Sequence, residues 1–329
     1  MMIISDKRKK NMKNSKLAVV IPCYNEQEML EHSIKRMFEV LDDLLSKNLI
    51  TADSYLLLVD DGSTDKTWDI IEKYHSENSQ KVKGVKFAKN FGNQNALIAG
   101  LTKANEIGCD CAITIDADLQ QDENKIEEFV QKFQNGNDIV MGVRKNRNTD
   151  GFIKKYTALA FYKLINLLGA KLTPNHSDYR LVSKKVLNML DRYKEVNLFL
   201  RGLFPALGQK TDTVYFEVKP RKYGHSKFTL WGLFSLAMQG ITSYSIVPLR
   251  LVAFTGMILA IGAFLLGVSV IIEKYTSRYV LPGWATIVSA ISFIGGIQVF
   301  CLGIIGEYIG QLFQEVKARP RYITEIELD

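Results

Sequence analysis

Two stretches without a single charged side chain, Leu251 to Ile272 and Trp284 to Gly306, constrain this chain more than any other feature. Each exceeds the roughly 20 residues that a helix needs to cross the hydrocarbon of a bilayer. Only Glu273 to Gly283 lies between them. Two buried core helices would be the other account, but uncharged runs of this length, so close together, read as a transmembrane pair. The remainder is different in kind. Up to about Gln209 charged and apolar segments alternate as they do in a water-soluble protein, so the 47% hydrophobic content is unevenly spread. With 329 residues the chain has enough sequence for a full α/β core besides the spans.

The net charge of +7 matters for where it falls. Lys7, Arg8, Lys9, Lys10, Lys13 and Lys16 lie near the start; Lys219, Arg221, Lys222, Lys227 and Arg250 precede the first run; Lys317, Arg319 and Arg321 follow the second. Between the runs there are only Lys274 and Arg278. The positive-inside rule then puts both termini and the polar domain in the cytoplasm, in a multi-pass protein of the cell membrane. The basic start leads into only a short apolar strand, unlike a cleaved signal peptide. Cys23, Cys109, Cys111 and Cys301 have neither disulfide nor zinc spacing and read as reduced thiols.

Strand and helix patterns alternate through the polar part, which predicts a largely parallel sheet with helices on its faces. The expected strands are 17–22, 55–60, 82–87, 111–116 and 138–143. Asp122 is the expected N-cap of a helix carrying Ile126, Phe129, Val130 and Phe133 on one stripe. Past Gly151 the pattern is mostly helical, with one extended stretch over 213–218. The division expected is a basic tail at 1–15, a catalytic domain at 16–225, an amphipathic interfacial helix at 226–247, two spans within 248–309 and a tail at 310–329.

Ligands of open α/β sheets bind beyond the carboxyl ends of the strands, so acidic groups there are the first candidates. Asp116 and Asp118, leaving the fourth strand, can hold a divalent ion that bridges two phosphates, with Gln120 adding a neutral group to the same loop. An Asp-x-Asp is also an ordinary acidic turn. Asp60 and Asp61 offer acceptors to a base and ribose, although Asp61-Gly62 is equally a turn in which Asp65 caps the next helix. Neither a GxGxxG nor a GxxxxGK[ST] motif follows a strand, which counts against a dinucleotide-binding domain or a P-loop ATPase. Basic patches without base-stacking aromatics count against a nucleic-acid partner.

Taken in order, Ile21-Pro22-Cys23-Tyr24-Asn25-Glu26, Val59-Asp60-Asp61-Gly62-Ser63-Thr64-Asp65, Lys89-Asn90-Phe91-Gly92-Asn93 and Asp116-Ala117-Asp118-Leu119-Gln120 resemble the family 2 glycosyltransferases of GT-A fold. The paired spans make the chain most similar to the dolichol-phosphate mannose synthases and bactoprenol glucosyltransferases within that family. The resemblance implies a GT-A nucleotide-sugar-binding α/β sheet. It places Pro22, Tyr24, Glu26, Asp60, Asp116 and Arg221 at the nucleotide, and Asp116, Asp118 and Gln120 at Mg2+ or Mn2+. Arg144, Lys154, Lys155, Lys222, Ser226 and Lys227 fall at the acceptor phosphate. Asp178, in Ser177-Asp178-Tyr179-Arg180-Leu181, faces the reacting sugar, and Asp118 and Arg144 join it as catalytic residues. This chain has Ser177 where the family commonly has glycine.

The implied reaction is inverting transfer of a sugar, glucose from UDP-glucose foremost, to undecaprenyl or another polyprenyl phosphate. A phosphate monoester is largely ionised near neutral pH, its second pKa being about 6, so Asp178 is expected to orient sugar or acceptor rather than to act as a base. A processive polysaccharide synthase would carry a Gln-x-x-Arg-Trp segment and more spans. A silent scaffold would have lost an acid of the Asp116 and Asp118 pair. A flippase partner is compatible with catalysis, and Gly262, Gly267, Gly295 and Gly296 would allow the spans to pack into a homo-oligomer.

Overall fold

β1 (Leu17–Cys23) alternates its side chains between two cores, and that alternation organises the rest. Leu17, Val19 and Ile21 enter one core with Leu30, Ile34 and Met37 of α1 (Leu30–Ser46). Ala18 and Val20 enter the other with Ala96, Leu97 and Leu101 of α3 (Asn93–Ile107). A strand covered on both faces needs apolar residues at every position, which is why β1 and β2 (Tyr55–Asp60) read as continuous hydrophobic runs. The structure is a computed structural model that describes residues 14–145, 176–196, 198, 200–219, 247–276 and 283–329.

The remaining elements are α2 (Thr67–Glu77), β3 (Val82–Phe87), β4 (Cys111–Thr114), α4 (Ile126–Gln134), β5 (Ile139–Arg144), β6 (His176–Ser183), α5 (Lys184–Leu190), α6 (Leu200–Ala206), β7 (Thr211–Phe216), α7 (Val247–Thr276), α8 (Trp284–Lys317) and β8 (Thr324–Leu328). The eight strands lie in the order β7-β5-β6-β4-β1-β2-β3-β8. β1 pairs in parallel with β2 and β4, β2 with β3 and β5 with β7; β6 runs antiparallel to both β4 and β5, and β8 antiparallel to β3. The sheet is therefore mixed rather than largely parallel. The stretch expected to be mostly helical contains β6, a central strand, and the expected strand at 213–218 begins at Thr211 instead.

β6 passes so close to β5 that Gly142, at an irregularity in the ladder, has room for no side chain: a Cβ there would lie 2.7 Å from the carbonyl oxygen of Tyr179. Asp122 does cap, accepting from the amide of Asn124 across a short 3-10 turn that leads into α4.

The segment counted as a tail, 310–329, divides between the end of α8 and β8. β8 covers the β3 edge of the sheet. Tyr322 stacks on Phe87 with ring centroids 4.8 Å apart, the Ala88 amide donates to the carbonyl of Ile323 (3.0 Å), and Lys103 pairs with Glu327 (2.5 Å) and Asp329 (2.9 Å). An edge strand capped in this way no longer offers a template for pairing with other chains.

The chain divides into two compact units, and residues 320–329 belong with the sheet. The second unit contains α7 and α8, of 30 and 34 residues. Both are long and apolar enough to cross a membrane, with windows of mean hydropathy 1.9 and 1.6 whose residues are exposed rather than buried. Phe254, Met257, Phe264, Ile291 and Phe300 point outward, as expected of surfaces that meet lipid instead of water. The expected interfacial helix falls outside the described residues but for its last position, Val247, where α7 begins.

Candidate active site

The loops after β1 and β2 are laced together. Asn25 takes a left-handed φ of 53°, its amide donates to Ser63 Oγ (2.9 Å), and its side-chain oxygen accepts from the Thr64 amide (2.8 Å). The Glu26 amide donates to Thr67 Oγ1 (2.9 Å). Asp65 caps α2 through the Thr67 amide (2.9 Å) and also accepts from the Gln27 amide (3.2 Å). Pro22, Tyr24 and Glu26 thus lie on a braced loop beside the end of β2, each half-buried. Gly62 completes the corner with φ 67°, and a Cβ there would lie 2.2 Å from the backbone carbon of Lys89.

Asp60 and Asp61 do different work. Asp61 turns inward, its carboxylate accepting the amides of Phe91 (2.6 Å) and Gly92 (2.9 Å), so it shapes the 89–93 loop instead of offering itself to a ligand. Burial pushes its carboxyl up to about 6 against those two amides. Asp60 is fully buried; its Oδ1 accepts from the amide (3.1 Å) and hydroxyl of Ser63, and burial raises its pKa as well. Its Oδ2 is buried with no hydrogen-bond partner among the described residues. A buried carboxylate oxygen without a donor is costly, and a ligand N–H would relieve it.

The second acidic cluster forms where β4 ends and β6 begins. The antiparallel register pairs Thr114 with Arg180, and its continuation sets Asp116 opposite Asp178. Gln121 braces Asp116: its Nε2 donates to Asp116 Oδ2 (2.6 Å) and Ser177 Oγ (3.2 Å), while its Oε1 accepts from the Asp116 amide (3.1 Å). Gln121 is thus an amide side chain against Asp116 that the sequence reading missed, and the backbone N–H of Gln120 donates to Asp118 Oδ1 (3.1 Å). Ser177, in a strand and not in a loop, is useful here as a hydroxyl that glycine would lack.

Loss of water, then the charges of Asp178 and Asp118, push the Asp116 carboxyl up to about 7; Arg144 and Arg201 pull it back. The carboxylates of Asp116 and Asp118 are hard oxygen donors of the kind that suit Mg2+ or Mn2+. No group of three or more His, Cys, Asp or Glu converges for a metal among the described residues. An ion here would have Asp116 and Asp118 as its carboxylates and take its other ligands from a substrate.

Asp178 is 5% exposed and carries two guanidinium partners. Arg180 Nη2 donates to Oδ1 (2.6 Å), Arg201 Nε to Oδ1 (3.2 Å) and Arg201 Nη2 to Oδ2 (2.7 Å). Arg144 ends β5 on the same edge of the sheet, exposed. The structure therefore brings together Asp116, Asp118, Asp178 and Arg144, and adds Gln121, Arg180 and Arg201. Lys154, Lys155, Arg221, Lys222, Ser226 and Lys227 lie outside the described residues.

Residues 18–190 match the family model for Glycosyl transferase family 2, and residues 247–312 match that for the GtrB C-terminal hairpin. An uncharacterized glycosyltransferase of Bacillus subtilis, YkoT, is 46% identical over 95% of this chain and 92% of its own length. The SfII prophage-derived bactoprenol glucosyl transferase of Shigella flexneri is 36% identical over 94% of this chain and 97% of its own. Among solved structures, the mannosyltransferase PcManGT from Pyrobaculum calidifontis in complex with GDP-Man and Mn2+ has a TM-score of 0.45 at 13% identity, covering 94% of this chain and 89% of that one.

Proposed function

Because the chain belongs to glycosyltransferase family 2 and is an enzyme of that class, we propose that it transfers glucose from UDP-glucose to undecaprenyl phosphate or a similar polyprenyl phosphate, with inversion, at the cytoplasmic face of the cell membrane. One observation carries the reading: at a single edge of the sheet Asp116, Asp118 and Asp178 meet Arg144 and Arg201, carboxylates for a metal beside cations for phosphates. The full-length similarity to a bactoprenol glucosyl transferase supports the choice of sugar and lipid.

In this reading Pro22, Tyr24, Glu26 and Asp60 hold the nucleotide, and the unpartnered Asp60 Oδ2 accepts an N–H of the base. Asp116 and Asp118, with Gln120 at the same loop, hold Mg2+ or Mn2+, which when bound supplies Lewis-acid stabilisation of the departing diphosphate. A lipid phosphate oxygen attacks the anomeric carbon as the bond from that carbon to the diphosphate breaks, and the electron pair leaves with UDP. Arg144, Lys154, Lys155, Lys222 and Lys227 offset the charge of the acceptor, Ser226 donates its hydroxyl to it, and Arg221 offsets the charge of the diphosphate. A second feature supports one side for both termini: β8 follows α8 yet joins the same sheet as β1, so the hairpin crosses an even number of times.

The test is transfer from radiolabelled UDP-glucose to undecaprenyl phosphate by the full chain in detergent, with Mn2+, Mg2+ or a chelator. Labelled lipid that vanishes with the chelator is the expected result. Transfer from a different nucleotide sugar only, or transfer unaffected by chelation, would overturn the donor or the metal respectively.

A further inference from the structure

Asp178 has more positive charge around it than one buried carboxylate requires. Arg180 alone would neutralise it. That residue is 1% exposed, donates also to the carbonyls of Leu200 (3.2 Å) and Ser177 (3.3 Å), and lies over the Phe204 ring at 4.7 Å, so it is built into the core. Arg201 is placed otherwise. It comes from the first turn of α6, its side chain is 34% exposed, and its charge reaches Asp116 across the site. With formal charges of −1 for Asp178 and +1 for each arginine, the trio is left at +1.

The contact between Arg201 and Asp178 is two-pointed, through Nε and Nη2 to both carboxylate oxygens, and such a fork fixes the plane of the guanidinium as well as its position. Conversely, both oxygens of Asp178 are already accepting from guanidinium N–H groups, the bonding of an anchor. The site has little need of a base, because the attacking oxygen of a phosphate monoester is already ionised near neutral pH. Its need is for fixed positive charge where phosphate oxygens gather.

We propose that Arg201 is a phosphate-binding residue of the transfer site and that Asp178 is the positioning residue that holds its guanidinium in place. The inference rests on the glycosyl-transfer reading above. Its ligand is a phosphate oxygen, contributed by the nucleoside diphosphate or by the lipid phosphate.

The experiment measures binding apart from turnover: calorimetric titration of UDP with Mn2+, and separately of undecaprenyl phosphate in detergent, into the full chain and its Arg201→Ala and Arg201→Gln variants. Loss of roughly tenfold or more in affinity for UDP assigns Arg201 to the donor, and the same loss for undecaprenyl phosphate assigns it to the acceptor. Turnover is expected to fall on the order of 10²-fold in Arg201→Ala, with partial rescue by millimolar guanidinium, and Arg201→Lys is expected to recover only part of the loss. Asp178→Asn should fall similarly, and the double variant little further, because the two side chains act as one unit. Wild-type affinity for both ligands in both Arg201 variants overturns the proposal, whatever happens to turnover. If the wild-type chain binds both ligands but moves no sugar from UDP-glucose, the reaction reading fails while the two affinities still decide for or against Arg201.

Discussion

Asp60 and Asp61, at the end of β2, are surrounded by neutral donors, whereas Asp116 and Asp178, across β4 and β6, are flanked by arginines. Amides and a hydroxyl fix a loop without adding charge, so the first pair forms a shaped, weakly polarising corner that suits a nucleobase. Guanidiniums beside carboxylates create a strong local field, so the second pair suits a metal and phosphates. Burial raises a carboxyl in each pair, Asp61 to about 6 and Asp116 to about 7, yet only in the second do neighbouring carboxylates add substantially to the push and guanidiniums oppose it.

The contrast can be broken most forcefully at Arg180. Arg180→Leu strips a buried carboxylate of its core partner and is expected to cost about 3–5 kcal/mol in denaturant unfolding. A loss below about 1 kcal/mol would mean that Arg201 alone satisfies Asp178. Next comes Asp116→Asn, which should lower kcat on the order of 10²–10³-fold and abolish Mn2+ binding by calorimetry while leaving the melting temperature near wild type. Asp60→Asn tests the other pair: UDP affinity is expected to fall roughly tenfold with kcat kept, whereas a fall in kcat at unchanged affinity would erase the distinction between the corners.

The smallest effect is the pH dependence. Asp116 must lose its proton to bind a metal, and in the metal-free protein its pKa is about 7, above the ordinary carboxylate range. Mn2+ affinity should therefore be near its plateau at pH 8 and about tenfold weaker at pH 6. Proton release measured on metal binding at pH 6.5 checks the same sign.

Where function and hydrophobic pattern coincide, the sequence was easy to read; where they conflict, it was not. β1, β2 and β4 are apolar runs ending in acidic turns, and their positions were evident. β6 was missed because His176-Ser177-Asp178-Tyr179-Arg180 carries a buried ion pair in a central strand, and polar residues there break the apolar run that marks such strands elsewhere. Arg201 was missed for the opposite reason: it sits in an apolar helical stretch with Leu200, Leu203 and Phe204, and only the fold reveals that Asp178 meets it. Gln121 was missed because a spacing does not show that its amide turns back toward Asp116. The order of the acids was legible, and so was Arg144, but not Arg180 and Arg201, the cations that bond Asp178.

The β8 strand has a consequence for how such a chain is made. The domain that carries the site is discontinuous in sequence, with its last strand supplied only after α7 and α8 have been synthesised. A soluble version cut before residue 247 would leave the β3 edge bare and lose the Tyr322 stack on Phe87, inviting chains to join edge to edge. Until β8 has been made the β3 edge has no partner, so the sheet is finished by the last residues to leave the ribosome.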